Sequence, residues 1–279
     1  MMIWLQLILV VQLTSAMPTP EPADIVWVAE GEFCEPETVL PLPDNTLLVS
    51  NVCGFNQQGN GFLTLLGLDG ETLDWRVVDQ LDAPLGMALV NDELFVIDGN
   101  RVRVFSWPDY KPIRVVDLST KVANDIAVTE AGTIYVTDTA AGHVIRVRHG
   151  QRPEIFPSGV SFDGANGIAV NNDLLFVGGD RLWCVNLKTQ EVTRLGPEWL
   201  RDIDGIEFES DGTLQVTPVG GPLVRLKKNA VSVLGGDGVS SANHGYAKDH
   251  SLVLIPTGFD NTVVAIRLPR EHTQSSPSQ

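Results

Sequence analysis

The segment Asn124-Asp125-Ile126-Ala127-Val128 recurs with small changes as Asn166-Gly167-Ile168-Ala169-Val170, and this repeated segment decides the fold. A second apolar run follows each copy after nine or ten residues, Ile134-Tyr135-Val136 in the first case and Leu175-Phe176-Val177 in the second. Two short apolar runs separated by turn residues are typical of a β-hairpin. The repeat therefore predicts pairs of short antiparallel strands.

The same pattern occurs six times along the chain. The other four copies are Pro36-Glu37-Thr38-Val39, Pro84-Leu85-Gly86-Met87, Ile203-Asp204-Gly205-Ile206 and Asn243-His244-Gly245-Tyr246. One residue of each copy is equivalent to Asn124 and Asn166, namely the second residue of each of the four segments just quoted. We call these six equivalent residues the ring positions: Glu37, Leu85, Asn124, Asn166, Asp204 and His244. Ring positions follow one another at intervals of 38 to 48 residues, the length of a four-stranded propeller blade. We therefore expect an all-β, six-bladed β-propeller.

The two ends of the chain complement each other. The sixth repeat has a third strand, Val263-Val264-Ala265-Ile266, but the sequence then turns polar and provides no fourth strand. The segment Asp24-Ile25-Val26-Trp27-Val28 precedes the first repeat and has no partner of its own. Since an incomplete blade would expose sheet edges, we expect this N-terminal strand to close the last blade.

The N-terminus has the features of an export signal. Residues 3–13 are mostly apolar, and Thr14-Ser15-Ala16 is a small-residue cleavage site, although no Lys or Arg precedes the apolar run. We expect a signal peptide over residues 1–16, a single propeller domain over 17–268, a flexible polar tail over 269–279 and a secreted protein, extracellular or periplasmic. The alternative is that residues 3–13 form a buried strand or helix.

Charge and cysteine content narrow the class of protein further. The formal net charge is −16 and no basic stripe occurs, so we expect neither nucleic acid nor an anionic membrane as partner. We expect a monomer. Cys34 and Cys53 flank a hairpin with its turn at Pro43-Asp44-Asn45, which predicts a disulfide between them, while Cys184 is expected to be a buried free thiol.

The ring positions carry the candidate chemistry. The inner strand of every blade lines the central channel, so equivalent positions converge there. Carboxylates and amide oxygens at Glu37, Asn124, Asn166 and Asp204 suit Ca²⁺, with Zn²⁺, Mn²⁺ and Mg²⁺ as alternatives. Leu85 would form channel wall. A simpler interpretation is that Asn166-Gly167 and Asp204-Gly205 are hairpin turns, and that His244 is structural.

The repeat segments, together with Phe259-Asp260-Asn261-Thr262-Val263-Val264-Ala265, resemble the superfamily of senescence marker protein (regucalcin), gluconolactonases and paraoxonases over Phe33 to Leu268. The resemblance implies a metal-dependent hydrolase of lactones or esters. It implies Glu37, Asn166 and Asp204 as metal ligands and Asn124 as a ligand or substrate contact. The metal would polarise the carbonyl, and Asp204 or His244 would activate water.

Three residues depart from that superfamily. Val122 stands where sugar lactonases have an arginine, Leu85 where paraoxonases have a histidine, and Thr38 where paraoxonases have an acid for a second calcium. Two other functions therefore stay open. One is a calcium-stabilised propeller that binds a ligand or partner without chemistry, and the other is a strictosidine-synthase-like propeller, which does not need the metal ring.

Overall fold

The computed structural model describes residues 16–55, 57–227, 230–235 and 242–268. These residues form six antiparallel sheets of four strands each. The predicted six-bladed β-propeller is confirmed. The predicted tail over 269–279, and all of the predicted signal peptide except Ala16, lie outside the described residues.

The first three blades each consist of four consecutive strands. Blade 1 contains β2–β5, which span Pro36–Pro41, Thr46–Asn51, Gly61–Gly67 and Thr72–Leu81. Blade 2 contains β6–β9, which span Pro84–Val90, Glu93–Asp98, Arg101–Ser106 and Pro112–Asp117. Blade 3 contains β10–β13, which span Ala123–Val128, Ile134–Asp138, His143–Val147 and Glu154–Ile155.

The last three blades follow the same order, with one exchange. Blade 4 contains β14–β17, which span Ile168–Asn171, Leu174–Val177, Leu182–Asn186 and Val192–Leu195. Blade 5 contains β18–β21, which span Ile203–Phe208, Leu214–Pro218, Leu223–Lys227 and Ala230–Leu234. Blade 6 contains β22–β24, which span Gly245–Ala247, Leu252–Thr257 and Thr262–Arg267, and a 3-10 turn covers Lys248–His250. Its outer strand is β1, Asp24–Ala29, which pairs antiparallel with β24 and closes the ring as expected.

The core lies between the blades, because both faces of each sheet are covered by its neighbours. Alternate residues of a strand point to opposite faces, and in blade 5 Leu214 and Val216 pack in one cluster with Phe176 and Leu182 of blade 4. Thr217 points the other way and bonds to blade 6. No helix in the described part of the chain has the length and apolar character needed to cross a membrane.

A disulfide joins Cys34 and Cys53, whose Cα atoms are 4.9 Å apart. The backbone N–H of Cys53 also donates to the carbonyl of Cys34 (3.2 Å), so the two residues lie opposite each other beside β2 and β3. Cys184 is a buried free thiol. The disulfide fixes the chain that leads into the inner strand of blade 1.

Candidate functional site

The ring positions gather at one end of the channel. The inner strands β2, β6, β10, β14, β18 and β22 contact one another in that cyclic order, and β2 touches β22 to complete the circle. Every ring position lies at the beginning of its inner strand or one residue or two before it. The six ring positions therefore surround one opening, which we call the hub.

A local irregularity accompanies four of the ring positions. Pairing with the second strand shifts register across Glu37, Leu85, Asn124 and Asp204 in blades 1, 2, 3 and 5. Such bulges bend a strand and redirect a side chain that would otherwise point to one face of the sheet. The bulges explain how residues in regular inner strands reach into the channel.

The glycines after the ring positions are not hairpin turns. Gly167 and Gly205 lack the positive φ of a type I′ turn, and the hairpins of their blades lie further along the chain. A Cβ on Gly167 would lie 1.8 Å from the carbonyl oxygen of Asp204, and one on Gly205 would lie 2.3 Å from His244 Nδ1. These glycines let neighbouring inner strands approach closely, so the turn interpretation is wrong.

Burial differs among the ring positions. Asp204 and His244 are 6% and 2% exposed, whereas Glu37, Asn124 and Asn166 are partly exposed. Leu85 is only 3% exposed and packs in the apolar cluster between blades 2 and 3, so it lies behind the channel surface. The hub is thus polar on five sides.

Three oxygens at the hub are buried without any hydrogen-bond partner. They belong to Asn124 Oδ1, Asn166 Oδ1 and Asp204 Oδ1, three of the four predicted metal ligands. A buried acceptor without a donor costs about 1–3 kcal/mol, and native structures contain few of them. Three such acceptors at one opening are a set that a cation would satisfy.

The hub carboxylates repel one another. Burial raises the pKa of Glu37 to about 7, although Thr38 Oγ1 donates to Glu37 Oε2 (2.6 Å) and opposes the rise. Burial, and then the charges of Glu37 and Asp125, raise the pKa of Asp204 well above its usual range. A divalent cation would relieve both the desolvation and the repulsion.

His244 is oriented by Thr217. The Thr217 hydroxyl donates to the carbonyl of Ala242 (3.1 Å), so its oxygen accepts from His244 Nδ1 at 2.9 Å. With the hydroxyl proton directed at Ala242, the imidazole proton would lie on Nδ1, and the buried Nε2, which has no partner, would carry a lone pair. Burial lowers the pKa of His244 to about 3, so the ring is neutral near pH 7 and is a weak base. Of the two predicted bases, Asp204 is the stronger.

Asp125 has a structural role beside the hub. Its Oδ2 accepts the N–H of Ile168 in blade 4 (2.9 Å), and its Oδ1 accepts the N–H of Ile126 (2.8 Å). The Asp125 N–H donates to Thr137 Oγ1 at 2.9 Å. Asp125 thus joins blade 3 to blade 4 just beyond Asn166 and fixes the distance between two ring positions.

Glu207 is a titratable residue on the inner strand of blade 5 that the repeat analysis missed. Burial raises its pKa to about 7 against the opposing charge of Lys248, and its own charge contributes to the raised pKa of Asp125. The corresponding residue is alanine in blades 2, 3, 4 and 6. A glutamate at a position that is alanine in four other blades was the sequence signal that could have identified Glu207.

The donor set fits calcium and not a metal that needs histidine or thiolate. No three His, Cys, Asp or Glu side chains within the described ranges group closely enough to hold a metal by themselves. A site at the hub must therefore use amide oxygens, which calcium accepts readily. Glu37, Asn124, Asn166 and Asp204 supply two carboxylates and two amides of that kind.

Comparisons with known proteins agree with this architecture. No family model matches the chain, and no match was found among curated protein sequences. Solved structures do match. A gluconolactonase from Xanthomonas campestris aligns with a TM-score of 0.70 and 15% identity over 92% of this chain and 98% of that one.

Two lyases give the same result. A streptogramin B lyase aligns with a TM-score of 0.65 and 12% identity over 87% of this chain and 98% of its own. A catalytically inactive virginiamycin B lyase from Staphylococcus aureus with quinupristin aligns at 0.61 and 12%, over 87% and 99%. The chain is a six-bladed propeller. At these identities, the likeness concerns the fold alone.

Proposed function

We propose that this protein is a secreted, calcium-dependent hydrolase of lactones or esters. The observation that carries the proposal is the set of three buried, unpartnered oxygens of Asn124, Asn166 and Asp204 at one opening. The gluconolactonase among the structural neighbours is consistent with lactone chemistry on this fold. The Cys34–Cys53 disulfide supports an oxidising compartment.

The chain's own residues have separable roles. Glu37, Asn124, Asn166 and Asp204 would hold the ion, which when bound polarises a carbonyl as a Lewis acid. His244 Nε2 accepts a hydrogen bond from water and orients it, because Thr217 fixes the proton on Nδ1. The carboxylate of Asp204 at the same opening takes the proton from that water, since burial makes the imidazole of His244 a weak base.

The test combines metal binding with turnover in the purified mature chain. We expect about one calcium per chain by elemental analysis and a calcium-dependent rise in melting temperature, because a ligand at a hundredfold excess over Kd stabilises by about 2.7 kcal/mol. A lactone panel should be hydrolysed, and both effects should disappear in Asp204→Asn and Glu37→Gln. Glu191→Gln, which removes an exposed acid beside the outer strand of blade 4, should retain both effects.

A non-catalytic binding propeller is the second candidate, and the low pKa of His244 favours it because this imidazole is then too weak a base to activate water. Calcium binding without hydrolysis of any lactone or ester would support that candidate. Absence of both calcium binding and a chelator effect would overturn the metal site itself.

A further inference from the structure

Large apolar side chains are exposed in two different places on the described chain. Eight lie in the N-terminal segment or on outer strands: Met17, Ile25, Val26, Val28, Leu73, Ile113, Val115 and Ile155. The other four, here called the rim, lie in loops: Phe55, Val122, Val219 and Phe259. The rim loops all adjoin the hub, because each follows a second strand or precedes an inner strand.

Two rim residues are fixed beside predicted metal ligands. Val122 is 42% exposed and lies two residues before Asn124. Its N–H donates to Asp138 Oδ1 and its carbonyl accepts the N–H of Thr139, both at 3.0 Å. Val219 is 53% exposed, and its N–H donates at 2.8 Å to the carbonyl of Asp202, which lies two residues before Asp204.

The two phenylalanines are held through Glu35, which lies two residues before Glu37. Glu35 Oε2 accepts the N–H of Gly54 at 2.7 Å, next to Phe55. The Glu35 N–H donates at 2.7 Å to Asn261 Oδ1, in the turn that carries Phe259. One residue thus ties both loops to the edge of the hub.

Both phenylalanines of the rim are largely exposed. Phe55 is 65% exposed and Phe259 is 87% exposed. The turn of Phe259 is closed by the N–H groups of Asp260 and Asn261, which donate to the carbonyl of Thr257 at 3.1 and 2.9 Å. Solvation of an aromatic ring on a fixed turn is unfavourable, and exposed apolar side chains at one end of a molecule favour a binding surface there.

We propose that the rim binds the apolar part of a neutral substrate, an alkyl- or aryl-substituted lactone or ester whose carbonyl lies at the hub. The reacting carbonyl rests on the proposed function, whereas the apolar contact does not. The rim side chains offer no hydrogen-bond donors to a polyhydroxylated sugar lactone. The net charge of −16 disfavours anionic ligands.

A small molecule fits this surface better than a macromolecule does. Stable protein interfaces use about 20–30 residues on each side, far more than four side chains. The rim also adjoins the predicted metal ligands along the chain. Val122 of the rim lies two residues before a predicted ligand, and so do Glu35 and Asp202, which hydrogen-bond to the other rim loops. A ligand centred on the hub would therefore contact the rim directly.

The test compares γ-butyrolactone with the same lactone carrying a hexyl chain on the calcium-loaded full chain. Full burial of each methylene is worth about fourfold in affinity, so wild type should prefer the hexyl lactone in kcat/KM by at least about tenfold. The double variant Phe55→Ser/Phe259→Ser should lose that preference. The control Ile113→Ser/Val115→Ser, on the outer strand β9, should match wild type. An unchanged preference in the Phe55/Phe259 variant would overturn the proposal.

A second measurement separates this proposal from the proposed function. The neutral fluorophore N-phenyl-1-naphthylamine should bind saturably to wild type and to the β9 control, and more weakly by at least about tenfold to the Phe55/Phe259 variant. Rim-dependent binding of the fluorophore without lactone hydrolysis would overturn the hydrolase proposal and support the rim as a binding surface. Hydrolysis of lactones with no preference for the hexyl lactone and no probe binding would support the hydrolase and overturn the rim assignment. Rim-dependent binding to phosphatidylcholine vesicles, with no probe binding, would replace the small-molecule ligand by a membrane.

Discussion

At the interface between blades 3 and 4, the buried carboxylate of Asp125 accepts two backbone N–H groups, whereas at the hub the buried Asp204 keeps Oδ1 without a partner. Burial raises the pKa of both. The two acids lie on inner strands of the same ring, and only their donors differ. Asp125 is a joint between blades, and Asp204 has the acceptor capacity that a cation needs. Burial and pKa alone do not distinguish a structural acid from a ligand.

The largest expected effect separates these two acids. Asp125→Ala leaves two buried N–H groups unpaired and should cost about 3 kcal/mol of unfolding free energy. Asp204→Ala in chelator should change it by less than about 1 kcal/mol, because the lost side chain had an unpartnered oxygen and was repelled by Glu37. Urea unfolding with chelator measures both.

Asp125→Asn serves as the matched control for that pair. It keeps one acceptor oxygen, so its cost should fall between those of wild type and Asp125→Ala. Equal losses of unfolding free energy in Asp125→Ala and Asp204→Ala would show that both acids are structural and that Asp204 is not kept for a ligand.

The interface between blades 5 and 6 sharpens the comparison, because it contains an exception of its own. Gln215 is fully buried, and neither its Oε1 nor its Nε2 has a partner. It shares a strand face with Thr217 and pairs with Glu207. The corresponding residues in the four preceding blades are large apolar or aromatic side chains, Leu48, Phe95, Tyr135 and Phe176.

Gln215→Leu should therefore stabilise the protein. It removes two unsatisfied polar atoms at nearly constant volume, and we expect a gain of about 2 kcal/mol in unfolding free energy. The reverse change in blade 4, Phe176→Gln, should destabilise by a similar or larger amount. Loss of stability in Gln215→Leu would mean that the amide is satisfied in solution and that this interface follows the same rule as Asp125.

The fold was predictable because the repeated segment recurs at blade-length intervals, each time at nearly the same distance before a strand. Six ring positions at blade-length intervals determine the number of blades, and the unpartnered strands at the two ends determine how blade 6 closes. The candidate site was predictable for the same reason, since equal register in a propeller means convergence at the channel. The register alone predicts that Glu37, Asn124, Asn166 and Asp204 lie at the channel, and their role as metal ligands stays a prediction.

Contacts between blades were not predictable from one sequence. The bond from Ile168 to Asp125 joins residues 43 positions apart in different sheets. The glycines after Asn166 and Asp204 have the composition of turns, yet they are required by close approach to the next inner strand. The fixing of His244 by Thr217 likewise depends on how blades 5 and 6 meet.

The smallest expected effect concerns pH and again involves the interface between blades 5 and 6. The pKa of Glu207 is raised to about 7 by burial, so the folded state holds a proton that the unfolded chain releases near pH 4.5. Its contribution to stability is therefore complete below about pH 4.5 and is lost as pH rises towards 7. Between pH 5 and 7, wild type in chelator should lose about 1 kcal/mol more than Glu207→Gln, a value reduced for partial exposure and for the nearby Lys248. Parallel pH profiles of the two proteins would show that Glu207 is solvated like a surface acid.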